Sequence, residues 1–184
     1  MRIEEVMKWS RNEWSTYDRT TIRKFMEEQR ALFKSGVVLD FGCGKRPYED
    51  IVSSDTYIGY DPVYPQYNTE LPEVADTIIA NQVFESISNP IETLKILFDI
   101  LTPGGYLVTT YNSTWFEWGI NSYKPGFKVN QGDFYRFTKW GMEKMLKDIG
   151  FNILVHREKW NLQFRVGTLT IGYGLVAQKP ERRS

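Results

Sequence analysis

The sequence predicts an α/β domain built on a largely parallel sheet, and three observations carry that prediction. Short continuous apolar runs bounded by glycine or turn residues alternate with segments of helical periodicity. The runs lack the polar alternation of half-exposed strands and suit strands covered on both faces. At 184 residues and 41% hydrophobic, the chain holds enough apolar material for one packed core and too little length for two ordinary domains, so 1–184 is read as a single unit.

The first element is a helix over roughly 20–34, where Ile22, Phe25, Met26, Leu32 and Phe33 fall at helical spacing and Ser35-Gly36 ends the pattern. Val37-Val38-Leu39 opens the first strand, which reaches Asp40; Thr56-Tyr57-Ile58-Gly59-Tyr60 and Thr77-Ile78-Ile79-Ala80 are the next two. Asn89 and Pro90 supply an N-cap and an N1 proline for a helix with Ile91, Leu94, Leu97, Phe98 and Leu101 on one face. Thr102-Pro103-Gly104-Gly105 stops that helix before a strand at Tyr106–Tyr111. Thr138 caps a further helix with Met142, Met145, Leu146 and Ile149 toward the core and Gly150 at its C′ position. Strands near 152–157 and 168–178 follow. The stretch 112–132 has no period and sets Trp115, Phe116, Trp118, Tyr123 and Phe127 among Gly, Asn and Ser. A loop that long in a compact domain is usually functional, and its rings nominate it as a substrate loop.

Formal charges cancel, 23 basic against 23 acidic, yet they are unevenly placed. Residues 36–123 carry three basic and twelve acidic side chains (net −9), and residues 124–184 carry twelve and five (net +7). A basic surface raises the local concentration of anions, so the last third fits either an anionic substrate or an ordinary solvated face. Cys43 is the only cysteine, which excludes an intrachain disulfide and a cysteine metal cluster and points to a reducing, cytoplasmic setting. No apolar run has the length of a signal peptide or a membrane span, so no membrane insertion is expected.

In such sheets ligands bind beyond the carboxyl ends of the strands, where strand order reverses. There the sequence places Asp40-Phe41-Gly42-Cys43-Gly44, whose glycines let the backbone turn tightly and approach a ligand. Asp61 ends the second strand twenty-one residues beyond Asp40, where a carboxylate can accept hydrogen bonds from both ribose hydroxyls of an adenosine group. A dinucleotide fingerprint calls for a third glycine where Pro47 stands. That proline, opening the next helix, also removes a backbone N–H of the kind that receives a pyrophosphate. Asp40 sets negative charge where the pyrophosphate would lie, whereas a cofactor with a cationic sulfonium and an ammonium would be favoured. The balance points to S-adenosylmethionine rather than NAD.

Five segments carry a resemblance: Val38-Leu39-Asp40-Phe41-Gly42-Cys43-Gly44-Lys45-Arg46-Pro47-Tyr48, Tyr57-Ile58-Gly59-Tyr60-Asp61, Ala75 to Glu85, Leu101-Thr102-Pro103-Gly104-Gly105 and Asp133-Phe134-Tyr135-Arg136-Phe137-Thr138. In this order they resemble the motifs of class I S-adenosylmethionine-dependent methyltransferases, and particularly a small bacterial branch often associated with surface-glycan gene clusters. The resemblance implies a Rossmann-like, seven-stranded sheet, with a possible reduction of its third strand and an antiparallel last strand. It implies that Asp40, Gly42 and Gly44 meet the methionyl part, Asp61 the ribose, and Asn81, Gln82 and Val83 the rim beside the sulfonium, with Phe41 and Tyr60 also among the cofactor-binding residues. Three departures stand out. Arg46 replaces the usual third glycine, Ser86 replaces a frequent His, and the short gap from Asp61 to Asp76 leaves Glu70 as the only substitute for an acid near the adenine.

No catalytic group is assigned; Glu85, Tyr111, Asp133 and Arg136 are the candidates to orient or deprotonate an acceptor, with a local Asp133–Arg136 pair as the alternative for the last two. His156 reads as structural and Cys43 as a small loop residue. Residues 1–35, with Trp9, Trp14 and Tyr17, read as a helical lid segment. The expected function is methyl transfer to a small-molecule or sugar-type acceptor with anionic character. The alternatives are a non-catalytic cofactor-binding module working with a partner, and a nucleic-acid methyltransferase, for which 124–184 would have to form one basic face.

Overall fold

The apolar runs become strands β1 (Val37–Phe41), β2 (Thr56–Tyr60) and β3 (Ala75–Asn81), followed by β4 (Leu101–Asn112), β5 (Asn152–Phe164) and β6 (Gly167–Gln178). The computed structural model describes residues 11–64, 66, 70–113, 134–164 and 167–181. Among these the strands form one sheet in the order β2-β1-β3-β4-β6-β5. β1 runs parallel to β2 and β3, and β3 to β4, while β6 is antiparallel to both β4 and β5. The sheet thus has six strands among the described residues instead of the seven expected, with β2 and β5 at its edges. Residues 61–74 have to carry the chain across β1 to reach β3, and a parallel crossover alone consumes about a dozen residues.

Among the described residues three α-helices cover the sheet: α1 (Arg11–Glu28), α2 (Pro90–Ile100) and α3 (Lys139–Ile149). The first begins earlier than expected and gives way to a 3-10 turn at Arg30–Phe33. Its Ile22, Phe25 and Met26 bury against Val38, Ile79, Val108 and Val176 on one face of the sheet. On the other face Leu94, Leu97, Met142 and Leu146 of α2 and α3 pack against Leu39, Ile78, Leu107 and Leu175. Asn89 caps α2 by accepting from the Glu92 N–H with Pro90 next in line, and Thr138 caps α3 by accepting from the Gly141 N–H at 3.0 Å. Ile91 is exposed, and Ile100 takes the buried place on α2.

Two local expectations are corrected. The helix expected after Pro47 is a single 3-10 turn, Glu49–Ile51; Arg23 of α1 ties this segment down through Asp50 at 2.8 Å and the Pro47 carbonyl at 2.7 Å. Thr102-Pro103-Gly104-Gly105 does not separate α2 from its strand but lies inside β4, where a register irregularity opposite Ala75–Thr77 absorbs it. Lys179 then takes over the helix stop, its Nζ donating to the carbonyls of Phe98 and Leu101 at 2.8 Å each.

Beneath α3 lies a buried polar chain. The Tyr111 hydroxyl sits 2.5 Å from His156 Nε2, and His156 Nδ1 sits 2.8 Å from Glu143 Oε1. Both contacts are satisfied when Nδ1 carries the proton and Nε2 accepts from the hydroxyl. Burial, outweighing Glu143, lowers the His156 pKa below its ordinary 6.5. A depressed histidine contributes stability above its unfolded pKa and loses it as pH falls through the folded value. Denaturant titrations at pH 8, 7, 6 and 5 therefore show wild-type stability falling relative to His156→Gln below about pH 6.5. A parallel pH dependence of the two proteins would contradict this assignment.

Candidate functional site

Strand order reverses at β1, which has β2 on one side and β3 on the other. At the carboxyl ends of β1 and β3 lies a cavity of about 620 Å³ lined by Asp40, Gly42, Cys43 and Gly44 from the first and by Asn81 and Gln82 from the second. Arg19 and Ile22 of α1 and Lys45, Pro47, Tyr48 and Tyr64 of the loops complete its lining. The volume falls inside the range of about 300–1,000 Å³ usual for cofactor and small-molecule sites.

The loop after β1 is shaped by its glycines and by β2. Gly42 has φ +74°, and a Cβ there would stand 2.4 Å from Val83 Cγ2. The N–H groups of Gly42 and Cys43 both donate to the Tyr60 carbonyl, at 2.7 and 3.2 Å. Asp61 is buried and receives the Gly44 N–H on Oδ2 and the Val63 N–H on Oδ1, each at 2.9 Å. Each carboxylate oxygen keeps a second acceptor site after these bonds. Across the cavity Gln82 adopts φ +54° and donates its N–H to the Thr110 carbonyl, which turns the chain sharply after β3.

Asp40 is a second buried carboxylate beside Asp61. Its carboxyl is pushed up to about 6, chiefly by burial, against the lowering effects of the Tyr57 hydrogen bond and the nearby Arg46. A raised carboxylate pKa costs stability as pH climbs from the unfolded value through the folded one. Asp40→Asn is therefore expected to melt higher than wild type at pH 7.5 while losing affinity for a cationic ligand; a lower melting temperature would refute the electrostatic cost. Burial, with Asp40 and Asp61 nearby, also raises the Cys43 thiol to about 12, so it is protonated and unreactive at neutral pH.

The methyltransferase-domain family profile matches residues 14–156, more than three quarters of the chain. The chain belongs to the methyltransferase-domain family. Its cofactor is S-adenosylmethionine. No curated protein matches the sequence. Among solved structures it is similar to an S-adenosylmethionine-dependent methyltransferase from Clostridium acetobutylicum, with TM-score 0.61 and 13% identity over 88% of this chain and 92% of that one. A chain of the complex between the Haloferax volcanii Trm112 methyltransferase activator and a methyltransferase aligns with TM-score 0.59 and 16% identity, covering 94% and 97%. Coclaurine N-methyltransferase bound to N-methylheliamine and SAH aligns with TM-score 0.63 and 11% identity, covering 88% and 70%. At these identities the likeness is one of fold.

The methyltransferase cavity suits this cofactor in its donor set. Asp40 sets a carboxylate in the cavity wall, the sign of charge that suits a cationic group. Asn81 Nδ2 is buried without a hydrogen-bond partner among the described residues, while its Oδ1 accepts from the Thr110 hydroxyl at 3.1 Å. An unmet buried donor there fits an acceptor on the ligand. Other expected site residues stand elsewhere. Phe41 and Tyr60 do not line the cavity; their rings stack at 5.3 Å and pack with the core on the α2–α3 face. Asp61 and Val83 are outside the lining as well, the first holding the Gly44 N–H and the second packed on Gly42, and Glu70 is exposed and outside it too.

Tyr111 is corrected as an acceptor-facing candidate. It is fully buried on the α2–α3 side, with its hydroxyl on His156. Glu85 is buried too; its Oε1 accepts the Asn112 N–H and its carbonyl receives the N–H groups of Phe134 and Tyr135. Arg136 bonds the Tyr135 carbonyl at 2.8 Å. Asp133, its expected pairing with Arg136, Trp9 and nearly all of the 112–132 loop lie outside the described residues. Arg19, Tyr48 and Tyr64 were not among the expected cofactor contacts, because only the tertiary fold brings them to the loop.

Proposed function

We propose that this methyltransferase binds S-adenosylmethionine in the cavity between β1 and β3 and methylates a small-molecule or sugar-type acceptor with an anionic group. The observation that carries the reading is the convergence of Asp40, Gly42 and Gly44 with Asn81 and Gln82 around one cavity at the strand-order reversal. In this reading Asp40 and the glycine backbone take the methionyl end, Asp61 offers its remaining acceptor sites to the ribose, and α1 serves as a side wall through Arg19 and Ile22. When bound, the cofactor supplies a methyl group on a positively charged sulfur. The chain's own contribution is then alignment of the acceptor with that methyl group, so a dedicated base is unnecessary.

The acceptor class rests on exposed rings beside the Glu85 carbonyl and at the start of α3. Phe134, Tyr135 and Trp140 are 52%, 39% and 76% exposed, and Lys139 stands 5.9 Å from the Trp140 ring. Glu85 hangs the first two by their N–H groups, and Asn112, which accepts from Gln82 Nε2 at 3.4 Å, links Glu85 to the cavity wall. Flat exposed rings beside a cation suit a sugar-like molecule bearing negative charge. The motif likeness to the glycan-associated branch supports the same class. Incubation with methyl-labelled S-adenosylmethionine and separate glycan, metabolite and RNA pools tests this: label enters the glycan or metabolite pool. Label in RNA alone would refute the acceptor class, and cofactor binding without any labelling would favour a binding module that works with a partner.

A further inference from the structure

The cavity contains one polar arrangement that neither the glycine loop nor Asp61 explains. The Tyr57 hydroxyl donates to Asp40 Oδ2 at 2.7 Å. β1 and β2 pair with Val38 opposite Tyr57 and Asp40 opposite Gly59, so residues 38, 40, 57 and 59 share the face toward α1. Gly59 leaves the space through which this contact and the neighbouring loop fit: a Cβ there would stand 2.8 Å from Arg46 Nε and 3.0 Å from Cys43 Sγ. Arg46 in turn places its guanidinium 5.4 Å from the Tyr57 ring centroid and 3.3 Å from Glu49. It does so from a left-handed backbone, φ +55°, that a non-glycine residue adopts at a cost. The ring is thus clamped from its outer side while its hydroxyl reaches inward. Asp40 Oδ1 has no hydrogen-bond partner among the described residues, and Asp40 lines the cavity.

We propose that Tyr57 is a positioning residue for the cofactor's amino-acid end: by occupying Oδ2 of Asp40 it fixes the carboxylate with Oδ1 presented to the cavity, ready to receive the ammonium. Arg46 holds Tyr57 in that role. The proposal rests on the reading that S-adenosylmethionine occupies this cavity. Tyr57 matters more here than a packing residue would because the carboxylate is buried and costly to ionise. Its hydrogen bond favours the charged form of Asp40, as does Arg46, whereas Asp61 and Glu49 disfavour it. Arg19 from α1 and Cys43, Lys45, Tyr48 and Tyr64 from the loops are the other titratable or charged groups around the cavity.

The test is calorimetric affinity for S-adenosylmethionine between pH 5 and 8 in wild type, Tyr57→Phe and Asp40→Asn, with 5′-methylthioadenosine, which lacks the amino-acid end, as the comparison ligand. Wild-type affinity falls on the acid side as Asp40 takes up a proton, and Tyr57→Phe moves that limb upward by about one pH unit, roughly a tenfold loss on the limb. Asp40→Asn has no limb, and methylthioadenosine shows none in any variant. In the ligand-free protein, the Asp40 carboxyl carbon followed by NMR titrates at correspondingly higher pH in Tyr57→Phe. An unmoved limb and an unmoved Asp40 titration in Tyr57→Phe would overturn the proposal, as would equal weakening of both ligands at every pH. Absence of S-adenosylmethionine binding to wild type at any pH would instead remove the cofactor reading, and this proposal with it.

Discussion

Asp61→Ala lowers the affinity for S-adenosylmethionine about a hundredfold. Two losses combine in that figure. The carboxylate holds the Gly44 and Val63 N–H groups at 2.9 Å, so its removal releases the loop after β1 and leaves two backbone donors without their charged acceptor. Hydrogen bonds to charged groups are worth about 1.5–3 kcal/mol each, and part of that loss appears as a less ordered binding loop. The second loss is the acceptor proposed for the ribose. Asp61→Asn, which keeps one carbonyl acceptor but sets an amide donor against a backbone N–H, falls between wild type and alanine. Titration calorimetry of the three proteins checks the order. Equal affinities would remove Asp61 from the site.

Gly42→Ala destabilises the protein itself. The left-handed backbone costs a residue with a Cβ about 1–2 kcal/mol, and an alanine held at the φ +74° of position 42 incurs that cost in full, where Gly42 does not. The added methyl would also stand 2.4 Å from Val83 Cγ2 and 3.0 Å from Cγ1, so Val83 or the loop has to move. Together these lower the melting temperature by roughly 5–10 °C for a chain of this size. Val83→Ala in the same protein removes the clash but not the backbone cost, so the double variant recovers part of the loss. Scanning calorimetry distinguishes the two contributions. A Gly42→Ala protein that melts with wild type would mean that the loop is not held in this conformation.

The strands were legible because β1 and β3 are covered on both faces, which leaves continuous apolar runs in the sequence. Their ends were less legible. Thr102-Pro103-Gly104-Gly105 carries strong turn signals, but the irregularity opposite Ala75–Thr77 admits it to β4. The helix read after Pro47 gave way to a 3-10 turn because α1 already covers that face and Arg23 anchors the segment to it. In the site, Asp40, Gly42, Gly44, Asn81 and Gln82 could be grouped in advance, since all follow or end strands beside the reversal. Phe41 and Tyr60 could not be excluded without the period-2 rule: each neighbours a site residue along the strand and points to the opposite face. The same rule would have found Tyr57, two positions before Gly59 on the Asp40 face. Tyr111 and His156 required the β4-β6-β5 order, because 45 residues separate two groups that touch.

The proposed function requires one cavity to accept one cofactor. Titration of the wild-type protein with S-adenosylmethionine, S-adenosylhomocysteine and NAD in a calorimeter, repeated on Asp61→Ala, addresses that claim most directly. The two adenosyl ligands bind wild type at one site per chain, NAD gives no heat of binding, and Asp61→Ala loses the affinity. Binding of NAD alone, or S-adenosylmethionine affinity unchanged in Asp61→Ala, would contradict it.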